Sequence, residues 1–269
     1  MTTTTGTEAP GAALSVRDVS LRFGGITVLD GVSFDAPRGG ILGLVGPNGA
    51  GKTSLFNCIS GHYKPTAGTV AIDGTEVQGA RPATLARHGL ARTFQHPALQ
   101  LHETVLENVL LGAHTRLPGG ALEWSLRTPR TRRSEKELRA EALDLLERNG
   151  LGWAAHLPAD ELSHGLHKGI ELCRALLMKP RLLLLDEPAA GLPHTEVETL
   201  ITTVRRLRTD DDITVVIVEH HMGLIAALTD RVVVLDHGAK LMEGTAAEAQ
   251  SDPRVIEAYI GKDAADDAA

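Results

Sequence analysis

The residues Gly46, Pro47, Asn48, Gly49, Ala50, Gly51, Lys52 and Thr53, followed by Ser54, fit the spacing G-x-x-x-x-G-K-[ST] without mismatch. These residue types point to one chemistry. Glycines at 46, 49 and 51 remove Cβ atoms that would stop backbone N–H groups turning inward, and inward N–H groups make a receptacle for phosphate oxygens. Lys52 adds a point charge for the β- and γ-phosphates of a nucleoside triphosphate, and the Thr53 hydroxyl is placed to ligate Mg2+. The flanks agree. An apolar run at 41–45 reads as a buried strand, and 52–61 reads as a helix whose positive end faces the same phosphates.

A second run at 181–188, Arg-Leu-Leu-Leu-Leu-Asp-Glu-Pro, reads as an apolar strand ending in two carboxylates, Asp186 and Glu187. Ligands of open α/β sheets bind at the carboxyl ends of the strands, so both acids are expected to face the cleft of the phosphate loop. Asp186 is placed to hold Mg2+, directly or through water, and Glu187 to act as general base for an attacking water. A strand running out into a solvated turn is the plainer reading of this stretch alone; beside a phosphate loop it becomes the minor one.

The elements that position these groups follow an α/β pattern. Residues 14–23 and 26–34 alternate apolar and polar side chains, as half-buried antiparallel strands do. The runs 41–45, 182–185 and 213–218 are almost wholly apolar, which suits strands of a parallel sheet covered on both faces. From about 97 to 178 no strand-like run occurs, and 104–111 and 134–149 read as helices. The second carries Leu138, Ala142, Leu145 and Leu146 on one face, with a capping box from Ser134 to Glu137 at its start. Residues 1–13 and 262–269 read as solvated tails.

Composition bounds the function. The 269 residues, 42% apolar and 23% charged, are ordinary for a globular chain with a sizeable core. A formal net charge of −7 argues against nucleic acid as the main partner. No run approaches the roughly 18 apolar residues that span a bilayer, and residues 1–13 lack the basic and apolar regions of a signal peptide. A cytoplasmic chain that meets a membrane only through partners is therefore expected. Cys58 and Cys173, far apart and in apolar surroundings, are expected to be buried reduced thiols.

With these motifs in this order, the chain resembles the ATP-binding subunits of ABC transporters over residues 14–261. The resemblance implies a RecA-like P-loop NTPase core of α/β class, an antiparallel β subdomain and an α-helical insert at about 97–178. It implies ATP and Mg2+ as cofactors, and ATP hydrolysis coupled to transmembrane transport. Further site residues come with it. Phe23, in Leu-Arg-Phe-Gly-Gly, matches the aromatic that stacks on adenine; an ordinary strand-end core aromatic is the plainer alternative. Gln95, after a strand at 90–94, matches the glutamine that contacts Mg2+ and the attacking water and reports to the membrane subunits. His220 matches the histidine that senses the γ-phosphate; His221 competes, with the strand-to-helix position favouring His220. Leu162, Ser163, His164, Gly165 and Leu166 occupy the place of the signature Leu-Ser-Gly-Gly-Gln. There the Ser163 hydroxyl and the Gly165 N–H, at a helix N-terminus, would bind the γ-phosphate of ATP held by a partner subunit. Two ATP molecules would thereby be enclosed between two subunits.

Departures from the family pattern carry their own expectations. His164 and Leu166 replace Gly and Gln, which removes a polar contact to nucleotide and predicts a weaker, asymmetric site. Pro193 stands where Asp or Asn is usual, which puts coupling between the two sites in doubt. Within the superfamily the chain is similar to the ATP-binding subunits of branched-chain amino acid importers. The stretches that carry this include Arg92-Thr-Phe-Gln95, Glu219-His-His-Met and the run from Asp252 to Gly261. Relatives serving urea, amides, other hydrophobic amino acids or lipid export share much of this pattern. The implied partners are integral membrane permease subunits, a second ABC ATPase subunit as heterodimer or homodimer, and indirectly a solute-binding protein, with no nucleic acid. The rival readings are a non-transport ABC ATPase and a nucleotide-binding regulatory subunit with little hydrolysis. The first would call for a coiled-coil insertion or a second ATPase unit. The second is supported by Leu166 and Pro193 and opposed by Glu187 with His220. A basic stretch, Arg116, Arg127, Arg130, Arg132 and Arg133, fits a solvated loop better than a contact with acidic headgroups or permease.

Overall fold

In a computed structural model that describes residues 11–116 and 129–266, the alternating stretch near the N-terminus forms a hairpin of β1 (Ala12–Phe23) and β2 (Ile26–Pro37). The expected tail through residue 10 lies outside the described residues. Strand β4 (Ala67–Ile72) pairs antiparallel with β1, and β5 (Thr75–Glu76) extends the sheet in the order β2-β1-β4-β5.

The second sheet holds six strands: β3 (Ile41–Val45), β6 (Leu90–Arg92), β7 (Leu182–Asp186), β8 (Thr214–Val218), β9 (Arg231–Asp236) and β10 (Ala239–Gly244). Their order is β10-β9-β3-β8-β7-β6, with β10 antiparallel and the other pairings parallel. Every residue of β3, β7 and β8 is buried, as their unbroken apolar runs require. Strand β6 stops at Arg92, short of Phe94, although Thr93 still donates to the Leu184 carbonyl at 2.9 Å.

Helix α1 (Lys52–Ile59) lies between the sheets; its Leu55, Phe56 and Ile59 are buried in one cluster with Leu14 and Leu29 of the first sheet and Leu44 and Val218 of the second. Each such side chain contributes roughly 1.5–3 kcal/mol by leaving water. A short α2 (Pro82–Arg87) precedes β6. Between β6 and β7 the described residues contain only helices, turns and one isolated bridge, Thr104 to Pro158. Helices α3 (Val105–Leu110), α4 (Pro129–Arg148) and α5 (His164–Leu177) join through Val105, Val109, Ala142, Leu146, Ile170 and Leu177. The far face of the large sheet is covered by α5, α6 (His194–Thr209), α7 (Met222–Leu228), α8 (Ala246–Ser251) and α9 (Pro253–Asp266).

Further boundaries differ from the sequence pattern: β1 takes in Ala12 and Ala13 of the stretch read as a tail, because Ala12 pairs with β2 and Ala13 is buried. Helix α4 begins at Pro129, so Ser134 lies inside it and caps nothing; Glu137 instead accepts from Arg133 Nε one turn back, at 2.9 Å. A helix already formed at Pro129 leaves Ser134 in the helix interior, where the Ser-x-x-Glu spacing has no free helix end to cap. At the other end, α9 takes in residues 262–266 of the stretch read as a tail. A capping box is present at Thr245 and Glu248, at the start of α8.

Strand order β3-β8-β7 with parallel register sets three carboxyl ends side by side. Residues 46–51 leave β3, Glu187 leaves β7, and Glu219 and His220 leave β8 along one edge.

Candidate active site

Gly46 leaves β3 with φ +149, and a Cβ there would lie 2.2 Å from the Leu235 carbonyl oxygen, so only glycine turns the chain at this point. Gly51, at φ +100, is the N-cap of α1; lacking a side chain, it leaves the first amides of that helix without a side-chain cap. Uncapped N–H groups and the helix dipole together favour an anion at this end. The Lys52 ammonium is buried over the loop and donates to the carbonyls of Gly46 at 2.6 Å and Pro47 at 2.9 Å. Asn48 and Gly49 are exposed, Ala50 is buried, and Thr53 and Ser54 follow on the first turn of α1, Thr53 exposed and Ser54 half-buried.

Asp186, the last residue of β7, is buried and ion-paired with Arg92, Nη2 to Oδ2 at 2.8 Å. The same guanidinium donates to Asn57 Oδ1 at 2.7 Å and to Ser60 Oγ at 2.6 Å, both on the α1 side. It lies 5.0 Å from the Phe94 ring centroid and 5.6 Å from that of Phe56. Arg92 therefore offsets the Asp186 charge and ties β7 to α1. The sequence marks Arg92 only as part of a motif, because its partner is 94 residues away.

Glu187 sits in the left-handed region at φ +46, an uncommon and costly backbone for a non-glycine residue. Its N–H is held by the Val218 carbonyl at 3.0 Å, and its Oε2 accepts from Gln95 Nε2 at 2.9 Å. Lys168 of α5 donates to the backbone carbonyls of Glu187 at 2.9 Å and Ala190 at 2.6 Å. Burial lowers the Lys168 pKa, while the carboxylates of Glu219, Glu187 and Glu171 act the other way. Nothing in the local sequence singles Lys168 out.

At the end of β8, buried Glu219 accepts from the Ala189 N–H at 2.8 Å, and burial raises its pKa. The two candidate histidines separate by geometry. His221 is the N-cap of α7 and its Nδ1 accepts from the Leu224 N–H at 3.2 Å, a helix-capping task. His220 is exposed, with its Nδ1 4.0 Å from Glu219 Oε2. Both border a cleft of about 240 Å3 together with Ala190 and Gly191.

Phe23, 48% exposed at the end of β1, meets Tyr63 edge-on with centroids 5.2 Å apart. Ser163 is the exposed N-cap of α5, accepting from the Leu166 N–H at 3.5 Å. A Cβ on Gly165 would lie 1.9 Å from Glu196 Oε2, so the α6 carboxylate packs directly on that glycine. Among the described residues, no group of three His, Cys, Asp or Glu side chains could hold a metal ion. In the basic stretch, Arg116 is tied to the Leu177 carbonyl and Glu141, at 2.7 and 2.8 Å. Arg127 lies outside the described residues, as does the side chain of Arg130. Both cysteines are free and buried, and burial pushes their thiols up to about 11 for Cys58 and about 12 for Cys173.

The chain is similar to known proteins over most of its length. Residues 29–190 match the family model described as ABC transporter, and residues 239–265 match that of the branched-chain amino acid ATP-binding cassette transporter. The chain belongs to the ABC transporter family. It is 39% identical over 249 residues to the high-affinity branched-chain amino acid transport ATP-binding protein BraF of Pseudomonas aeruginosa, covering 93% of this chain and 98% of that one. The corresponding protein LivG of Escherichia coli matches at the same identity and coverage. A solved ATP-binding cassette of an ABC transporter, in its ADP conformation, superposes with a TM-score of 0.81 at 32% identity, covering 93% of this chain and 99% of that one. This cassette is an ATPase that binds ATP and powers transport, and its two sheets and helical layer are the α/β fold of that family. No helix among the described residues is long and apolar enough to cross a membrane.

Proposed function

We propose that this ABC cassette drives import of branched-chain or other hydrophobic amino acids, bound at the cytoplasmic face of a membrane to permease subunits. In the same reading a second, related ATPase chain completes each nucleotide site, and a solute-binding protein delivers the cargo. The observation that carries the reading is the match over residues 239–265, which lies outside the nucleotide motifs, together with 98% coverage of BraF.

The residues divide the work as follows. Phe23 stacks on adenine, and the amides of 46–54 hold the α- and β-phosphates while Lys52 turns from its loop carbonyls to the γ-phosphate. Mg2+, held by the Thr53 hydroxyl and Asp186 with Gln95 beside it, would offset the phosphate charge; one Asp186 oxygen is free of the Arg92 pair to serve. Glu187 takes a proton from water as the water oxygen attacks the γ-phosphorus and the bond to the bridging oxygen breaks. Its carboxylate is already oriented by Gln95. His220, free of a capping task, is left to sense the γ-phosphate. Ser163 and Gly165 of the other subunit would complete the site, and Leu166 and Pro193 favour a partner that is a different chain.

The test is reconstitution of the full chain with its permease subunits, companion ATPase and binding protein in liposomes. Uptake of labelled leucine, isoleucine or valine that depends on ATP is expected. ATP turnover without uptake of any hydrophobic amino acid would remove the substrate assignment and leave the ATPase.

A further inference from the structure

The last helix of the chain reaches back to the first residue of the phosphate loop. The Gly46 N–H donates to Tyr259 Oη at 2.9 Å, across 213 residues of sequence. Tyr259 lies on α9, which is anchored rather than appended. Val255, 3% exposed, is buried with Ile225 and Val234, and Tyr259 packs against the same cluster. Asp252 holds the start of the helix by accepting from the Arg254 N–H at 2.9 Å and its Nη2 at 2.7 Å. Burial raises the Tyr259 pKa, so the side chain stays a neutral hydroxyl, and that oxygen accepts from the amide.

Gly46 needs such a partner. A glycine imposes no φ of its own, and this one must hold φ +149 at the point where strand becomes loop. It is buried, and a buried N–H left without an acceptor is costly. Its carbonyl is held by Lys52 at 2.6 Å, but that contact is given up if the lysine turns to a phosphate. The Tyr259 bond is on the N–H side of Gly46, away from the lysine, and survives that movement.

We propose that Tyr259 is a positioning residue of the nucleotide site: its hydroxyl fixes the first peptide of the phosphate loop, so the C-terminal helix sets part of the affinity for ATP. This rests on the reading of residues 46–54 as the loop that holds the nucleotide.

The experiment compares Mg·ATP affinity, KM, kcat and melting temperature for the full-length wild type, Tyr259→Phe and Val255→Ala. Tyr259→Phe keeps the ring and loses one hydrogen bond, and is expected to raise Kd and KM for ATP about five- to tenfold with kcat within about twofold. Val255→Ala loosens the packing of the helix but keeps the hydroxyl, and is expected to melt lower while weakening ATP binding less than Tyr259→Phe does. Wild type that binds no Mg·ATP would remove the phosphate-loop reading itself. Wild-type binding with Tyr259→Phe at wild-type affinity would overturn the role of Tyr259 alone, and so would an equal weakening in Val255→Ala.

Discussion

At the phosphate-loop edge, Lys52, Asp186 and Glu187 are each fixed by contacts of 2.6 to 2.9 Å, whereas at the N-terminus of α5 the exposed Ser163 makes a single 3.5 Å cap. One edge is organised within the chain before anything binds; the other offers a helix end with little to hold its polar groups in place. Preorganised groups spend no free energy on reorientation when charge develops, so catalytic power should sit at the first edge. The second edge gains its order from what it meets. Lys168 links the two, because it rides on α5 and grips the backbone of Glu187 and Ala190.

Breaking the ordered edge should have the largest effect. Lys52→Ala removes a charged donor to the triphosphate and is expected to weaken Mg·ATP binding about 100-fold, read by titration calorimetry. Cutting the link comes next. Lys168→Met keeps the stem and loses two charge-assisted hydrogen bonds to carbonyls, and is expected to lower kcat about tenfold with KM for ATP little changed. Ordering the loose edge should act in the opposite direction. Leu166→Gln restores a polar side chain there and is expected to raise turnover of the assembled transporter about two- to fivefold. Unchanged turnover would mean that residue 166 does not reach nucleotide.

The smallest effect concerns stability, on the inner side of α5. Burial pushes the Glu171 carboxyl up to about 7 from 4.5, and its Oε1 accepts from the Phe94 N–H at 3.2 Å. Between those pH values the folded chain binds more protons than the unfolded one, so this contribution is complete at low pH and is lost as pH rises through 7. From pH 6 to 8 the loss is ~1 kcal/mol, and Glu171→Gln, which keeps an acceptor, should flatten the melting temperature over that range. An unaltered slope would place the titration elsewhere.

How much of this was legible in the sequence follows from how local each interaction is. The phosphate loop and strands β3, β7 and β8 were readable because glycine spacing and unbroken apolar runs are local facts. The pairs Arg92–Asp186, Lys168–Glu187 and Tyr259–Gly46 were not, since only the packing of distant strands and helices brings them together. The rivalry between His220 and His221 was open in sequence; the helix cap made by His221 Nδ1 distinguishes them in space. Ser134 and Glu137 show the reverse error, a local signal overridden by a helix that is already formed at Pro129. The close approach of Glu196 to Gly165 gives that glycine a packing reason that no motif contains.

In the proposed reaction Glu187, held by Gln95 just beyond β7, activates the water that attacks ATP. The direct measurement is ATP turnover and ATP affinity of Glu187→Gln in the assembled complex. Affinity within a few-fold of wild type and turnover lower by about 100-fold or more are expected. Turnover at the wild-type rate, with binding intact, would contradict it.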